Sequence, residues 1–130
     1  MPALIPPWDH AIFVDVRVIA RGTLNDFVRN RVERKLQKSV KDHLDAWYAE
    51  AARAIWKNSA EIKRQYRSAS ILSSERVVFN IKGNDYRLIV AISYHYQVLL
   101  IKWIGTHEEY DQIEAKKVEY DKQRYVNPSN

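Results

Sequence analysis

The hydrophobic period of this chain changes at about Arg76. Upstream, apolar residues recur every three or four positions; downstream they alternate. A chain carrying both periods in separate halves folds as helices laid against an antiparallel sheet. Residues 76 to 82, 86 to 93 and 97 to 104 read as three strands of a meander joined by tight turns. The dipeptide Gly83-Asn84 favours a two-residue hairpin turn, because both residues can adopt positive φ.

The upstream half supplies the helices. Residues 11 to 20, AIFVDVRVIA, are rich in β-branched side chains and predict a first strand. Thr23 then predicts a cap for a helix carrying Leu24, Phe27, Val28, Val32, Leu36 and Val40 on one side. Arg29, Arg31, Arg34, Lys35, Lys38 and Lys41 give that helix a cationic outer face, most often only a solvated one. Asp42 predicts the next cap, for a second helix with Leu44, Trp47, Tyr48, Ala51, Ala52 and Ile55 as its stripe. So short a link makes the two an N-terminal helical hairpin. Ser59, Ile62 and Tyr66 suggest a further helical turn, and RSASILSSE reads as loop. Thr106 and Glu109 have capping-box spacing and start a short helix through about Lys116. The end, EYDKQRYVNPSN, is polar and is expected to fray or dock loosely. The expected fold is therefore α+β, a small antiparallel sheet against a helical hairpin in the order β-α-α-β-β-β-α, with the second sheet face left for a ligand.

Composition narrows the chemistry. At 130 residues the chain is one domain, with 46% apolar and 28% charged residues, inside the globular range. It contains no cysteine, which excludes disulfide scaffolds, thiolate metal sites and cysteine nucleophiles. His10, His43 and His95 show no metal-ligand spacing, so no metal and no cofactor is expected. No apolar run approaches the ~20 residues of a membrane span, and the start lacks a secretory pattern, so the expected location is the cytoplasm. The formal net charge of +5 favours polyanionic partners.

Within the hairpin, a turn at Gly83-Asn84 pairs Lys82 with Asp85, Ile81 with Tyr86 and Asn80 with Arg87. Alternation sends Phe79, Ile81, Tyr86 and Leu88 to the core, and Asn80, Lys82, Asp85 and Arg87 to the other face. Lys102 joins Arg87's side if the turn near His95 has two residues, and leaves it if the loop has three. An amide among cations suits a phosphodiester, whose oxygens take bidentate guanidinium and point-charge ammonium contacts. The alternative is a solvated hairpin shoulder; Asn80 and Arg87 fit that less easily, since each interrupts an apolar run.

The blocks VVFNIKGNDYRLIVAI and IKWIGTHEEYDQI resemble the HigB-type toxins of bacterial type II toxin–antitoxin systems, within the RelE/ParE-like superfamily. RVIARGTLNDF resembles that family's opening, and Trp56, Ser59, Ala60, Ile62 and Lys63 match its W-x-x-P/S-A-x-I-K pattern. The likeness runs from about Val16 to Val118, implying an extension at residues 1–15, a toxin domain at 16–118 and a polar tail at 119–130. It implies an mRNA endoribonuclease working on the ribosome, silenced by a HigA-like helix-turn-helix antitoxin that also carries it to operator DNA. By position it implicates Asn80, Asn84, Arg87, Lys102, His107 and Tyr110.

Such an enzyme cuts RNA with the RNA's own 2′-hydroxyl, without a metal. Arg87 and Lys102 are the expected phosphate and transition-state contacts, His107 the acid or base, and Tyr110 a stacking or proton-transferring group. Asn80, Lys82 and Asn84 are the expected RNA-binding residues. Packing roles compete with these: His107 as the first residue of a capped helix, Tyr110 and Trp103 as core. Two other functions fit the fold, a ParE-like toxin acting on DNA gyrase and a non-catalytic RNA- or antitoxin-binding module.

Overall fold

The computed structural model of the chain describes residues 18–19 and 21–126. Its elements are β1 (Val18–Ile19), α1 (Arg21–Arg31), a 3-10 turn (Arg34–Leu36), α2 (Gln37–Arg53), α3 (Ser59–Gln65), β2 (Ser70–Ser73), β3 (Arg76–Ile81), β4 (Tyr86–Ser93), β5 (Val98–Thr106), α4 (His107–Tyr110) and α5 (Lys122–Val126). The class is α+β, as the change of period requires. The sheet order is β1-β5-β4-β3-β2, with β2 to β5 antiparallel and β1 added parallel to β5.

The predicted order β-α-α-β-β-β-α is corrected in several places. The apolar stripe from Leu24 to Val40 is not one helix, because Glu33 takes extended backbone (ψ 136°) and breaks it. Gln37 then donates from its side chain to the carbonyls of Val32 and Arg29, satisfying groups that the end of α1 leaves open. The break lets both Val32 and Val40 reach the core. Thr23 is buried inside α1 rather than capping it, and Asp42 is an ion-pair partner of Lys38 within α2. α2 stops at Arg53, so Ile55 leaves the stripe and is 71% exposed while Trp56 turns inward.

The serine-rich segment read as loop contains the edge strand β2. Strand pairing uses backbone groups, so small polar side chains do not prevent it at an edge. β2 is bulged between Ile71 and Ser73 and mostly exposed. Of the predicted first strand, Val18 and Ile19 are strand and the part before them lies outside the described residues, as does the 1–15 extension. Up to Val126, the last described residue, the tail is docked rather than loose: Tyr125 on α5 is 0% exposed and accepts a hydrogen bond from the Ile104 amide at 3.0 Å.

One sheet face and the helices enclose the main core. Val77, Phe79, Ile81, Leu88, Val90, Leu99 and Ile101 meet Leu24, Phe27, Val40, Leu44 and Trp47 there. Phe79 sits among the rings of Trp47, Trp56 and Tyr66, with centroids 5.1 to 6.1 Å away. Each such fully buried side chain contributes roughly 1.5–3 kcal/mol. The opposite face is not bare. A smaller cluster of Val78, Ile89 and Trp103 is roofed by Tyr110, Ile113, Ala115 and Val118, so a ligand meets that face only around its margins.

A bulge in β5 decides which residues face that way. Ile89 opposes Trp103 and Val90 opposes Ile101, leaving Lys102 as the extra residue. The shift turns Trp103 away from the main core, against the expectation that it would follow Leu99 and Ile101. The β4–β5 connection spans four residues, Tyr94 to Gln97, rather than two or three. Thr106 and Glu109 form the capping box as expected, but α4 ends at Tyr110, short of Lys116.

Candidate functional site

The β3–β4 turn builds the site. Asn80 pairs with Arg87 and Ile81 with Tyr86, the register expected from alternation. The Asp85 amide donates to the Lys82 carbonyl at 3.2 Å, closing the turn around Gly83 and Asn84. The positive φ values lie at Lys82 (55°) and Gly83 (65°), not at Asn84, so the turn has a different shape from the one the dipeptide suggests. Lys82 Nζ lies 3.3 Å from the Asp85 carboxylate.

Arg87 folds back onto this turn. Its Nη1 donates to the Asn84 carbonyl at 2.9 Å and its Nη2 to Asn84 Oδ1 at 3.1 Å, with Tyr86 O a longer contact at 3.3 Å. A guanidinium has five N–H donors, so donors remain for an incoming anion. Directly across β5 stands Gly105, which presents no side chain beside Arg87.

α4 adds the histidine. The His107 amide donates to the Asp85 carbonyl at 3.0 Å, fixing the start of α4 against the turn. The His107 side chain is 44% exposed, with Nε2 3.0 Å from Glu108. Three residues on, Tyr110 leans on Trp103 at 6.3 Å and lies under the Arg87 guanidinium at 6.0 Å. Burial raises the Tyr110 phenol above its ordinary value; the Arg87 charge opposes the rise and Asp111 adds to it. An ordinary phenol is already protonated near neutrality and a rise keeps it so, leaving its hydroxyl free to donate and its ring to stack.

The structure thus gathers Lys82, Asn84, Asp85, Arg87, His107 and Tyr110 at one corner. Asn80 shares the row, yet its amide donates to the Ser68 carbonyl at 3.1 Å and ties the lead-in of β2 to the sheet. Lys102 is apart. Its Nζ reaches Glu119 at 2.8 Å, next to Arg76 rather than Arg87. Among the described residues, no group of three His, Asp or Glu side chains stands where a metal ion could be held.

Contacts that the sequence does not disclose support the corner from behind. Glu109 closes the capping box on the Thr106 amide and also receives Arg31 at 3.0 Å and Arg124 at 3.1 Å. Burial works against its charge, but the Thr106 amide, Arg124 and Arg31 outweigh it and hold the carboxyl below the ordinary range. Arg124 lies over the Trp103 ring at 4.8 Å. Arg76 shares the strand parity of Asn80, which puts it on the second face; nothing in the sequence marks Arg124 or Glu119, and Arg31, expected on the solvated cationic face, turns to Glu109 instead.

Fold and site together define a small α+β protein with a cationic turn, a half-exposed histidine and a tyrosine at one corner of its sheet. The sequence matches the HigB toxin family, the RelE-like toxic component of a toxin–antitoxin system, over residues 40–113, more than half its length and the stretch that holds the whole corner. The chain belongs to that family. No curated protein matches it. Membership implies an antitoxin partner. No helix among the described residues is long and apolar enough to cross a membrane.

Proposed function

We propose that this chain is an mRNA endoribonuclease that works in the cytoplasm on ribosome-bound transcripts and is neutralised by a HigA-like helix-turn-helix antitoxin, which also brings it to operator DNA. The observation that carries the reading is that one turn anchors both Arg87, through Asn84, and the backbone of His107, through Asp85. A fixed cation and an imidazole carried by one turn suit cleavage of a phosphodiester.

In this scheme a base takes the proton of the RNA 2′-hydroxyl, whose oxygen attacks the adjacent phosphorus in line. The bond to the 5′-oxygen breaks as that oxygen gains a proton, leaving a 2′,3′-cyclic phosphate and a free 5′-hydroxyl. Arg87 holds the charge that builds on the phosphate, worth about 10²–10³ in rate for one such donor. His107 serves as acid or base, worth roughly 10²–10⁴. Tyr110, kept protonated, supplies a proton or a stacking face. Asn84 positions Arg87, Asn80 steadies the strand, and Lys82 steers the RNA backbone. The scheme draws on no metal ion.

The exposed Arg34 and the cationic face around it favour contact with a polyanion such as ribosomal RNA, although Arg29, Lys35, Lys38 and Lys41 each also meet a neighbouring acid. The toxin domain proposed at 16–118 takes Tyr125 and Arg124 from the 119–130 tail into its packing.

The test is to induce the chain in cells and map mRNA 5′ ends, beside Arg87→Ala and His107→Ala. New ends within translated codons, absent from both variants, are the expected result. DNA damage without new ends, or neither effect, overturns it.

A further inference from the structure

Glu119 bridges two cations on the margin of the second sheet face. One carboxylate oxygen accepts from Lys102 Nζ at 2.8 Å and the other from Arg76 Nη2 at 3.4 Å. The two cationic side chains are largely covered, 18% and 11% exposed, whereas Glu119 is 68% exposed. The carboxylate therefore lies on the solvent side of a cationic floor.

That floor does not depend on Glu119. Arg76 also donates from Nη1 to the carbonyls of Ala115 and Val118, at 2.9 and 2.8 Å. Val118 is held in turn by the Glu114 carbonyl, and the tail beyond is anchored by Tyr125 and Arg124. Glu119 itself stands in the irregular run between Val118 and α5. Withdrawing it asks only for rotation of one exposed side chain. A carboxylate spanning an ammonium and a guanidinium makes the contacts that two non-bridging phosphate oxygens would make. The pair is also separate from the turn. Arg76 opposes Ala91, four residues along β4 from Arg87, roughly 13 Å at the rise of a strand.

We propose that Arg76 and Lys102 form a second phosphate subsite, gripping a backbone phosphodiester of the same RNA at a distance from the one being cut, and that Glu119 fills this subsite as an internal competitor until RNA displaces it. The proposal rests on the ribonuclease reading. It reassigns Lys102 from the reacting phosphate to a second one farther along the strand. Lys102 first, and then Arg76, hold the Glu119 carboxyl below its ordinary range, so the competitor is charged at neutral pH.

The test measures anisotropy of a labelled 2′-O-methyl dodecamer RNA, which cannot be cut, with the full chain. Glu119→Gln is expected to bind roughly two- to fivefold tighter, the scale of an exposed ion pair. Its affinity should fall more steeply with salt, by about 0.7 in the log–log slope for one more phosphate neutralised. Adding Lys102→Gln should erase the gain, and Arg87→Ala should weaken binding by the same factor with or without Glu119→Gln. The idea is overturned if folded Glu119→Gln binds no tighter than the parent, if the gain survives Lys102→Gln, or if a poly-glutamate peptide gains as much as RNA. Messenger cleavage by the parent chain with no Glu119→Gln effect removes the subsite alone. The expected binding changes in a chain that cuts no mRNA uphold the subsite and remove the nuclease.

Discussion

Asn84 holds the Arg87 guanidinium by two hydrogen bonds, one from Nη1 to its main-chain oxygen at 2.9 Å and one from Nη2 to its side-chain oxygen at 3.1 Å. Only the second depends on the asparagine side chain. Asn84→Ala should therefore loosen Arg87 without releasing it. The expected loss in mRNA cleavage is about tenfold, smaller than the ~10²–10³ of Arg87→Ala. Asn84 is an exposed turn residue, so melting should change by no more than about 0.5 kcal/mol. Single-turnover cleavage and thermal melts on both variants check this. Equal losses from the two would mean that Asn84 touches RNA itself.

Gly105 on β5 pairs with Arg87 on β4, and its lack of a side chain is a packing requirement. A Cβ placed there would lie 2.4 Å from the Trp103 ring and 2.6 Å from the Arg124 guanidinium. The ring is buried with Val78 and Ile89 and has little room to retreat. Gly105→Ala should cost about 1–3 kcal/mol through overpacking, measured by denaturant unfolding. Gly83→Ala makes the contrast. Nothing would touch its Cβ, so its cost, about 1 kcal/mol, would come from backbone strain at φ 65°.

What the sequence revealed and what it hid divide along physical lines. Alternation across Phe79, Asn80, Ile81, Tyr86, Arg87 and Leu88 was enough for register and face, because a one-residue slip would bury Arg87 and expose Leu88. The Thr106–Glu109 box was equally local and equally legible. Lys102 was not. A bulge adds one residue without any change of composition, and this one moved Trp103 to the second face and left Lys102 beside Arg76. The break at Glu33 was hidden for a related reason: the apolar stripe runs through it unbroken, and only the side chain of Gln37 marks the end of α1. Tyr125 and Arg124 lie in a segment whose polar composition resembles a frayed end, and their partners on Ile104 and Glu109 are distant in sequence.

Glu109 ties stability to pH. Its folded carboxyl lies below the ordinary value, so the unfolded chain binds the proton more readily. The stabilisation is fully present above the unfolded value of about 4.3 and is lost as pH falls through the lower folded one. Glu119 acts in the same direction through Lys102 and Arg76. Glu109→Gln should lower stability at pH 7 by roughly 1–3 kcal/mol, since Arg31 and Arg124 lose a charged acceptor. It should also flatten the fall between about pH 5 and pH 3. Urea unfolding across that range measures both. An unchanged acid slope would show that Glu109 is not the linked group.

Tyr125 gives the sharpest test of whether the tail belongs to the folded unit. Its hydroxyl accepts from the Ile104 amide at 3.0 Å in a fully buried setting, and its carbonyl accepts from the Asn30 side chain at 2.6 Å, joining β5 to α1. Tyr125→Phe keeps the ring and removes only the oxygen, leaving the Ile104 N–H buried and unpaired. The expected cost is about 1–3 kcal/mol, a fall of several degrees in melting temperature. Ending the chain after Val118 removes the ring as well, with Arg124 and its contacts to Glu109 and Trp103, and should leave no cooperative melt near that of the full chain. If the shortened chain melts like the parent, α5 is an ornament and the toxin unit ends at residue 118. If it does not, the corner of Arg87 and His107 is braced by residues that follow the matched family segment, because Glu109, which caps α4 behind His107, is held in part by Arg124.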